Sequence, residues 1–134
     1  MTVVAFIRSM LEVVVASLVP VAARTTTLTG TAVNVADYDG TIRIIFHGLR
    51  TTGDLVPTIE HSDVSGSGFV DITAQLATPP GATGFTTVLS GTSFLQEASL
   101  DVSAVKGFIR FIGTASNTPN HTYGATIVGM KKQT

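Results

Sequence analysis

The chain has 134 residues, 44% of them hydrophobic and 13% charged, with a formal net charge of −1. That length supports one domain with a sizeable core and leaves no room for a second. With no cysteine, disulfides, thiolate metal sites and cysteine nucleophiles are excluded, and the scattered basic residues, Lys131-Lys132 being the one adjacent pair, give no electrostatic footprint for DNA or RNA.

Charged residues are about half as frequent as the roughly 25% of an average soluble protein, so Thr, Ser, Gly and apolar atoms must cover the surface. Such a surface suits permanent contact with other chains. Many Thr and Val residues, punctuated throughout by Gly and Pro, form the composition of an all-β protein with short strands.

Residues 1–23 have the outline of a signal peptide, with Arg8, an apolar run and small residues at Val21-Ala22-Ala23, but Glu12 interrupts the apolar core. Arg8 and Glu12 also leave too few consecutive apolar residues to span a membrane, which takes about twenty. Two forms remain for this segment. One is an amphipathic helix from about Val3 to Val15 with Arg8 and Glu12 on one face; the other is an extended arm, favoured by the β-branched run Val13-Val14-Val15 and by Pro20. Residues 1–24 are therefore expected to be an N-terminal arm and residues 25–134 the domain.

A first strand is expected from about Thr26 to Val35, followed by a turn over Ala36–Gly40. Gly40–Asp63 reads as a β-hairpin around which the rest is organised. In it Ile42, Ile44 and Phe46 alternate with Arg43 and His47, Arg50–Asp54 supplies the turn, and Val56–His61 returns antiparallel. Pro57 makes that second strand an edge, or its first residue. A Ser/Gly turn over Asp63–Gly68 leads to a strand from Phe69 towards Leu76, and Thr78–Gly81 is a loop. Further strands are expected near Phe85–Leu89, Phe94–Val102, Lys106–Thr114 and Thr122–Met130. The segment Lys106–Thr114 carries Phe108, Phe111 and Ile112 beside Ile109, apolar on both faces, so one face should meet another sheet or another chain. About eight short strands and no convincing helix after residue 24 describe a single all-β β-sandwich or jelly-roll-like domain with an N-terminal arm.

Reactive groups are few. His47, His61 and His121 show no HExxH spacing, and Glu60, His61 and Asp63 alternate in direction along a strand, which opposes a shared metal. Asp37 and Asp39 lack the spacing of a calcium loop, and Asp in turns usually bonds its own backbone. Ser65–Gly68 is neither a nucleophile elbow nor a phosphate loop, and the sequon Asn120-His121-Thr122 reads as a loop. No catalytic, cofactor or metal residues are expected, and the chain reads as a scaffold, not an enzyme.

The succession SLVPVAARTTTLTGTAVNVADYDGTIRIIFH, then IEHSD with a Gly/Ser turn before FVDIT, then VKGFIRFIGTASNTPNHTYGATIVGMKK resembles the small structural proteins of tailed-bacteriophage virions. The matching positions are Pro20–Thr25, Glu60–Asp63, Lys106–Arg110 and Gly129–Lys132, within a cover from about residue 17 to the end. Two departures are visible. IEHSDVSGSG lacks a second acidic residue, and Gly107 and Phe108 stand where a basic residue and a tyrosine are usual. The resemblance implies a decoration (cement) protein on the outside of the head, bound to the major capsid protein and to itself, with a trimer favoured at three-fold sites. With the charge pattern and the interrupted apolar run above, no nucleic acid partner, no membrane and no cofactor are expected. A neck, tail or head-fibre component is the alternative within that class, and a secreted β-sandwich binding module with residues 1–23 as signal peptide is the alternative outside it. The expected interface comprises Val4, Phe6, Ile7, Leu11, Val14 and Leu18 of the arm with Phe108, Phe111 and Ile112 of the late strand.

Overall fold

A computed structural model describes residues 12–131. Seven strands follow one another: β1 (Glu12–Arg24), β2 (Leu28–Thr29), β3 (Val33–Asn34), β4 (Tyr38–Ser62), β5 (Val70–Asp71), β6 (Ser93–Asp101) and β7 (Phe108–Lys131). Two short 3-10 turns, Thr73–Gln75 and Val102–Ala104, complete the regular structure, and no α-helix occurs among the described residues. The fold is all-β and antiparallel, as the composition and the spacing of strands predict.

Its frame is one ribbon. β4 and β7, of 25 and 24 residues, pair from Tyr38 opposite Lys131 at one end to Ser62 opposite Phe108 at the other. Strands in globular domains usually run about 5–6 residues, so a ribbon this long must bend to bury its apolar side chains. It folds near its middle. The ring of Phe46, in the first half of β4, lies 5.0 Å from that of Phe111, in the first half of β7, and 5.8 Å from that of Tyr123, in the second. A side chain at Gly113 would collide with the ring of Tyr123, ten residues further along the same strand. One layer therefore consists of β1, the second half of β7, the first half of β4 and β6; the other consists of β2 and β3, the first half of β7, the second half of β4 and β5.

The hairpin expected over Gly40–Asp63 is not formed. Arg50–Asp54 carries turn residues, but they make a corner, with ladder register shifting between Arg50, Thr52 and Asp54 and Gly53 at φ 80°. Opposite them Asn117 and Thr118 take φ 59° and 54°, in the left-handed region that β-branched residues avoid. Glycine and aspartate serve a bend as well as a reversal, and what continues the chain forwards is a partner strand, β7, supplied from far along the sequence. For the same reason Lys106–Thr114 and Thr122–Met130 are halves of one strand rather than two. Pro57 does sit at a local edge: it faces Gly113 on β7, and its nitrogen points to the other side of β4, between the Leu55–Val88 bridge and the Ile59–Thr73 hydrogen bond.

Other expectations shift in smaller ways. The strand over Thr26–Val35 is split into β2 and β3 at Gly30, whose Cα approaches Ser17 and the Phe111 carbonyl so closely that a Cβ would not fit. Only Val70–Asp71 of the strand expected towards Leu76 is paired as a strand, and Phe85–Leu89 contributes a single bridge at Val88. β6 lies where expected.

The segment expected as an arm is extended over residues 12–24 and is laid on β7 of its own chain, which corrects the helical alternative for Glu12–Val15. Its regular pairing runs from Glu12 opposite Met130 to Ala16 opposite Thr126, and from there to Arg24 the register shifts three times. Ser17 and Leu18 are buried in the domain. The Ser17 hydroxyl donates to the Thr31 carbonyl at 2.9 Å and accepts the Phe111 N–H at 3.1 Å, tying one flank of the two layers together. On the opposite flank the buried Gln96 accepts from the Thr86 N–H at 2.9 Å and donates to its hydroxyl at 3.2 Å. Between the flanks Ile42, Ile44, Phe46, Leu55, Ile59, Ile109, Phe111, Tyr123 and Ile127 form the core.

Candidate functional site

Alternation along β4 and β6 that buries Ile44, Phe46, Gln96 and Ala98 turns Ile45, His47, Leu49, Leu95 and Glu97 outwards. Leu95 is 66% and Leu49 56% exposed. The register places Leu95 opposite His47 and Leu49 opposite Ser93, so the two leucines are diagonal neighbours on one face. Ile45 and Leu95 also line a groove of about 390 Å³ whose far wall is the loop at Pro80–Thr83. Arg43 and Glu97 form an ion pair beside it. Leu49 and Leu95 are exposed apolar area on the sheet, with His47 and the Arg43–Glu97 pair beside them.

The outer face of the second layer is different. Phe108 and Ile112 are half-buried there on either side of Arg110, whose guanidinium bonds Glu60 at 2.8–2.9 Å and covers the Phe69 ring at 3.9 Å. This is a covered face, with its charges neutralised and its aromatic ring capped.

The expected interface residues therefore separate. Phe111 and Leu18 belong to the core of this chain and are corrected: Phe111 is the inward member of an alternating pair, and Leu18 packs inwards beside Ala125. Phe108 and Ile112 do lie outside. Val14 pairs through its backbone with Val128, and Val4, Phe6, Ile7 and Leu11 lie outside the described residues. Sequence reasoning missed Leu49 and Leu95, although the alternation that buries Phe46 and Gln96 already turns them outwards.

Among the histidines, His47 lies on the outer face between Ile45 and Leu49, and His61 accepts the Lys106 N–H on Nδ1 at 3.1 Å. His121 is wholly buried at the corner, which corrects the loop expected over Asn120–Thr122: these residues are in β7. Burial, then the Arg50 charge, holds the His121 pKa below its ordinary value of 6.5, against the Gly53 carbonyl and Asp54, which act the other way. Among the described residues no three of His, Asp and Glu gather as a metal site, and no helix is long and apolar enough to cross a membrane.

Fold and surface together define an antiparallel β-sandwich with one apolar outer face. No protein-family model and no curated protein sequence matches the chain. Among solved structures it is similar to the SPBc2 prophage-derived protein YomS, with 12% identity and a TM-score of 0.50 over 88% of this chain and 93% of that one. It is also similar to a chain of the disulfide-linked pili that form Bacillus endospore appendages, with 12% identity and a TM-score of 0.48 over 91% and 89%. A third similar chain comes from infectious bursal disease virus strain Gx, with 11% identity, a TM-score of 0.45 and cover of 90% and 33%. At such identities the likeness concerns the fold alone.

Proposed function

We propose that this chain is a structural protein of a bacteriophage virion, and within that class a decoration protein that binds the major capsid protein on the outside of the head. The observation that carries the reading is the outer face of the first layer, where Leu49 and Leu95 stand exposed as diagonal neighbours on the sheet. The sequence resemblance to phage virion proteins supports it, and the likeness to a prophage-derived protein agrees with it at the level of fold. A cement protein needs contact area rather than chemistry: a standard interface buries about 800 Å² per partner and requires no active site. Repetition over a shell then strengthens each contact, because a protein held at one joint meets the next at high effective concentration. The same proposal includes self-association, with a trimer favoured, and places Phe108 and Ile112 at a secondary contact.

The test is cosedimentation of the purified protein with heads of its source particle, together with a cryo-EM map of that particle. Binding at regular lattice positions is expected, and Leu95→Glu should abolish it while changing the stability of the free chain by no more than about 0.5 kcal/mol, as for other surface substitutions. Density at the neck or tail would favour the alternative within the class. A mature chain beginning near Arg24 would favour the secreted module, but such a chain would lack Ser17 and Leu18, both buried here.

A further inference from the structure

Lys106, in the turn that leads into β7, is gripped at both ends by the close of β4. Its backbone N–H donates to Nδ1 of His61 at 3.1 Å, and its ammonium lies 3.5 Å from the carboxylate of Asp63. The two holds differ in kind. The Lys106 and Asp63 side chains are 45% and 75% exposed, so salt screens their ion pair and it holds weakly. The bond to His61 is directional and rests on a ring that titrates.

The surroundings keep both holds in place. His61 is the next-to-last residue of β4, paired with Ile109 of β7 and Val70 of β5. Ser62 after it is buried; its hydroxyl donates to the Ser67 carbonyl and accepts the Val64 N–H at 3.2 Å, which shapes the loop that carries Asp63. The Lys106 turn is also tied from the Val35 N–H to the Gly107 carbonyl at 2.8 Å, and it walls a cavity of about 390 Å³ that reaches Tyr38 and Asp101. Among the described residues, the turn brings Lys106 towards His61 and the loop brings Asp63. Glu60, Arg110 and Asp71 stand on the opposite face, where Arg110 bonds Glu60 and Asp71 accepts from the N–H and hydroxyl of Thr73.

We propose that His61 is an acid-released catch on the turn over residues 105–107. A donor directed at Nδ1 leaves the neutral ring's own hydrogen on Nε2, so Nδ1 carries the ring's one available lone pair. An added proton must take that lone pair, and the Lys106 N–H then loses its acceptor. Proton and bond exclude one another at a single atom, whatever the balance of charge around it. By linkage, protonation favours the released turn: the catch contributes its stability at high pH and loses it as pH falls through the titration of His61. The Asp63 ion pair holds Lys106 by a separate group, so salt and acid act on different holds. Release frees one wall of the cavity.

The test is NMR on the full chain between pH 8 and pH 5, following the His61 ring nitrogens together with the Lys106 amide. At pH 8 the ring hydrogen should be on Nε2. As His61 titrates, the Lys106 amide should lose the downfield shift of a bonded N–H. Its solvent exchange, corrected for intrinsic rates, should rise about fivefold, the worth of one ordinary hydrogen bond, with the midpoint of the ring. His61→Asn supplies a carbonyl oxygen near the position of Nδ1 that does not titrate, and should keep Lys106 protected throughout the range. His61→Ala should leave it unprotected throughout. Asp63→Asn should remove the response of the turn to salt and keep its response to acid. A ring hydrogen on Nδ1 at pH 8 overturns the proposal, as does a Lys106 amide that fails to follow the His61 titration. An undiminished acid response in His61→Ala, or its loss in Asp63→Asn, overturns it equally. If a variant fails to fold, the wild-type ring and amide titrations decide the matter by themselves.

Discussion

The middle of the sandwich and its corner are built by the same two strands, β4 and β7, and hold together for opposite reasons. Around Phe46 the ladder is regular and the rings of Phe85, Phe94, Phe111 and Tyr123 stand 4.8–6.0 Å from it, so burial of apolar surface does the stabilising. At the corner the ladder slips, Asn117 and Thr118 take left-handed conformations, and a buried histidine lies between two arginines. There, hydrogen bonds such as that from the Thr52 hydroxyl to the Thr118 carbonyl, at 2.8 Å, hold a backbone that the core has forced to bend. The contrast shows that a bent ribbon concentrates its apolar packing at the centre and its strained backbone at the fold line.

Breaking the centre should cost most. Phe46→Ala removes the ring that four others surround, and an expected loss of about 3–5 kcal/mol should appear as a lower urea midpoint in equilibrium unfolding. A smaller loss during that experiment, below about 1 kcal/mol, would mean that the two layers are not packed through Phe46. Ser17→Ala attacks the flank instead. It leaves the Phe111 N–H and the Thr31 carbonyl without their side-chain partner, at a cost of about 1–3 kcal/mol in the same assay. At the corner the sign reverses. Thr118→Gly relieves a left-handed backbone on a β-branched residue and should stabilise by about 1 kcal/mol, read as a raised thermal midpoint. No gain there would show that the bend is not strained at that residue.

Much of this was legible from residue order. Alternation over Ile42, Ile44 and Phe46 marked a half-buried strand, the double-faced run Phe108–Ile112 marked a strand with apolar residues inside and out, and β6 was placed almost to the residue. The outer face was legible in principle, since whatever alternation buries Gln96 must expose Leu95. His121 was not, because a histidine beside Asn120 and Thr122 carries no local sign of burial; its surroundings come from Arg24 and Arg50, 97 and 71 positions away as the numbering counts them.

The residue pattern by itself determined the all-β class, the polarity of most strand faces and the shortage of reactive groups, since each depends on neighbours one or two positions apart. Tertiary structure alone decided that Arg50–Asp54 bends the chain instead of reversing it, that residues 12–24 complete the sheet, and that Phe111 faces inwards while Phe108 and Ile112 face outwards. Those outcomes depend on which distant strand supplies the hydrogen bonds. Glycine and aspartate at a bend make the same local conformations available either way, and only the long-range pairing with β7 selects between them.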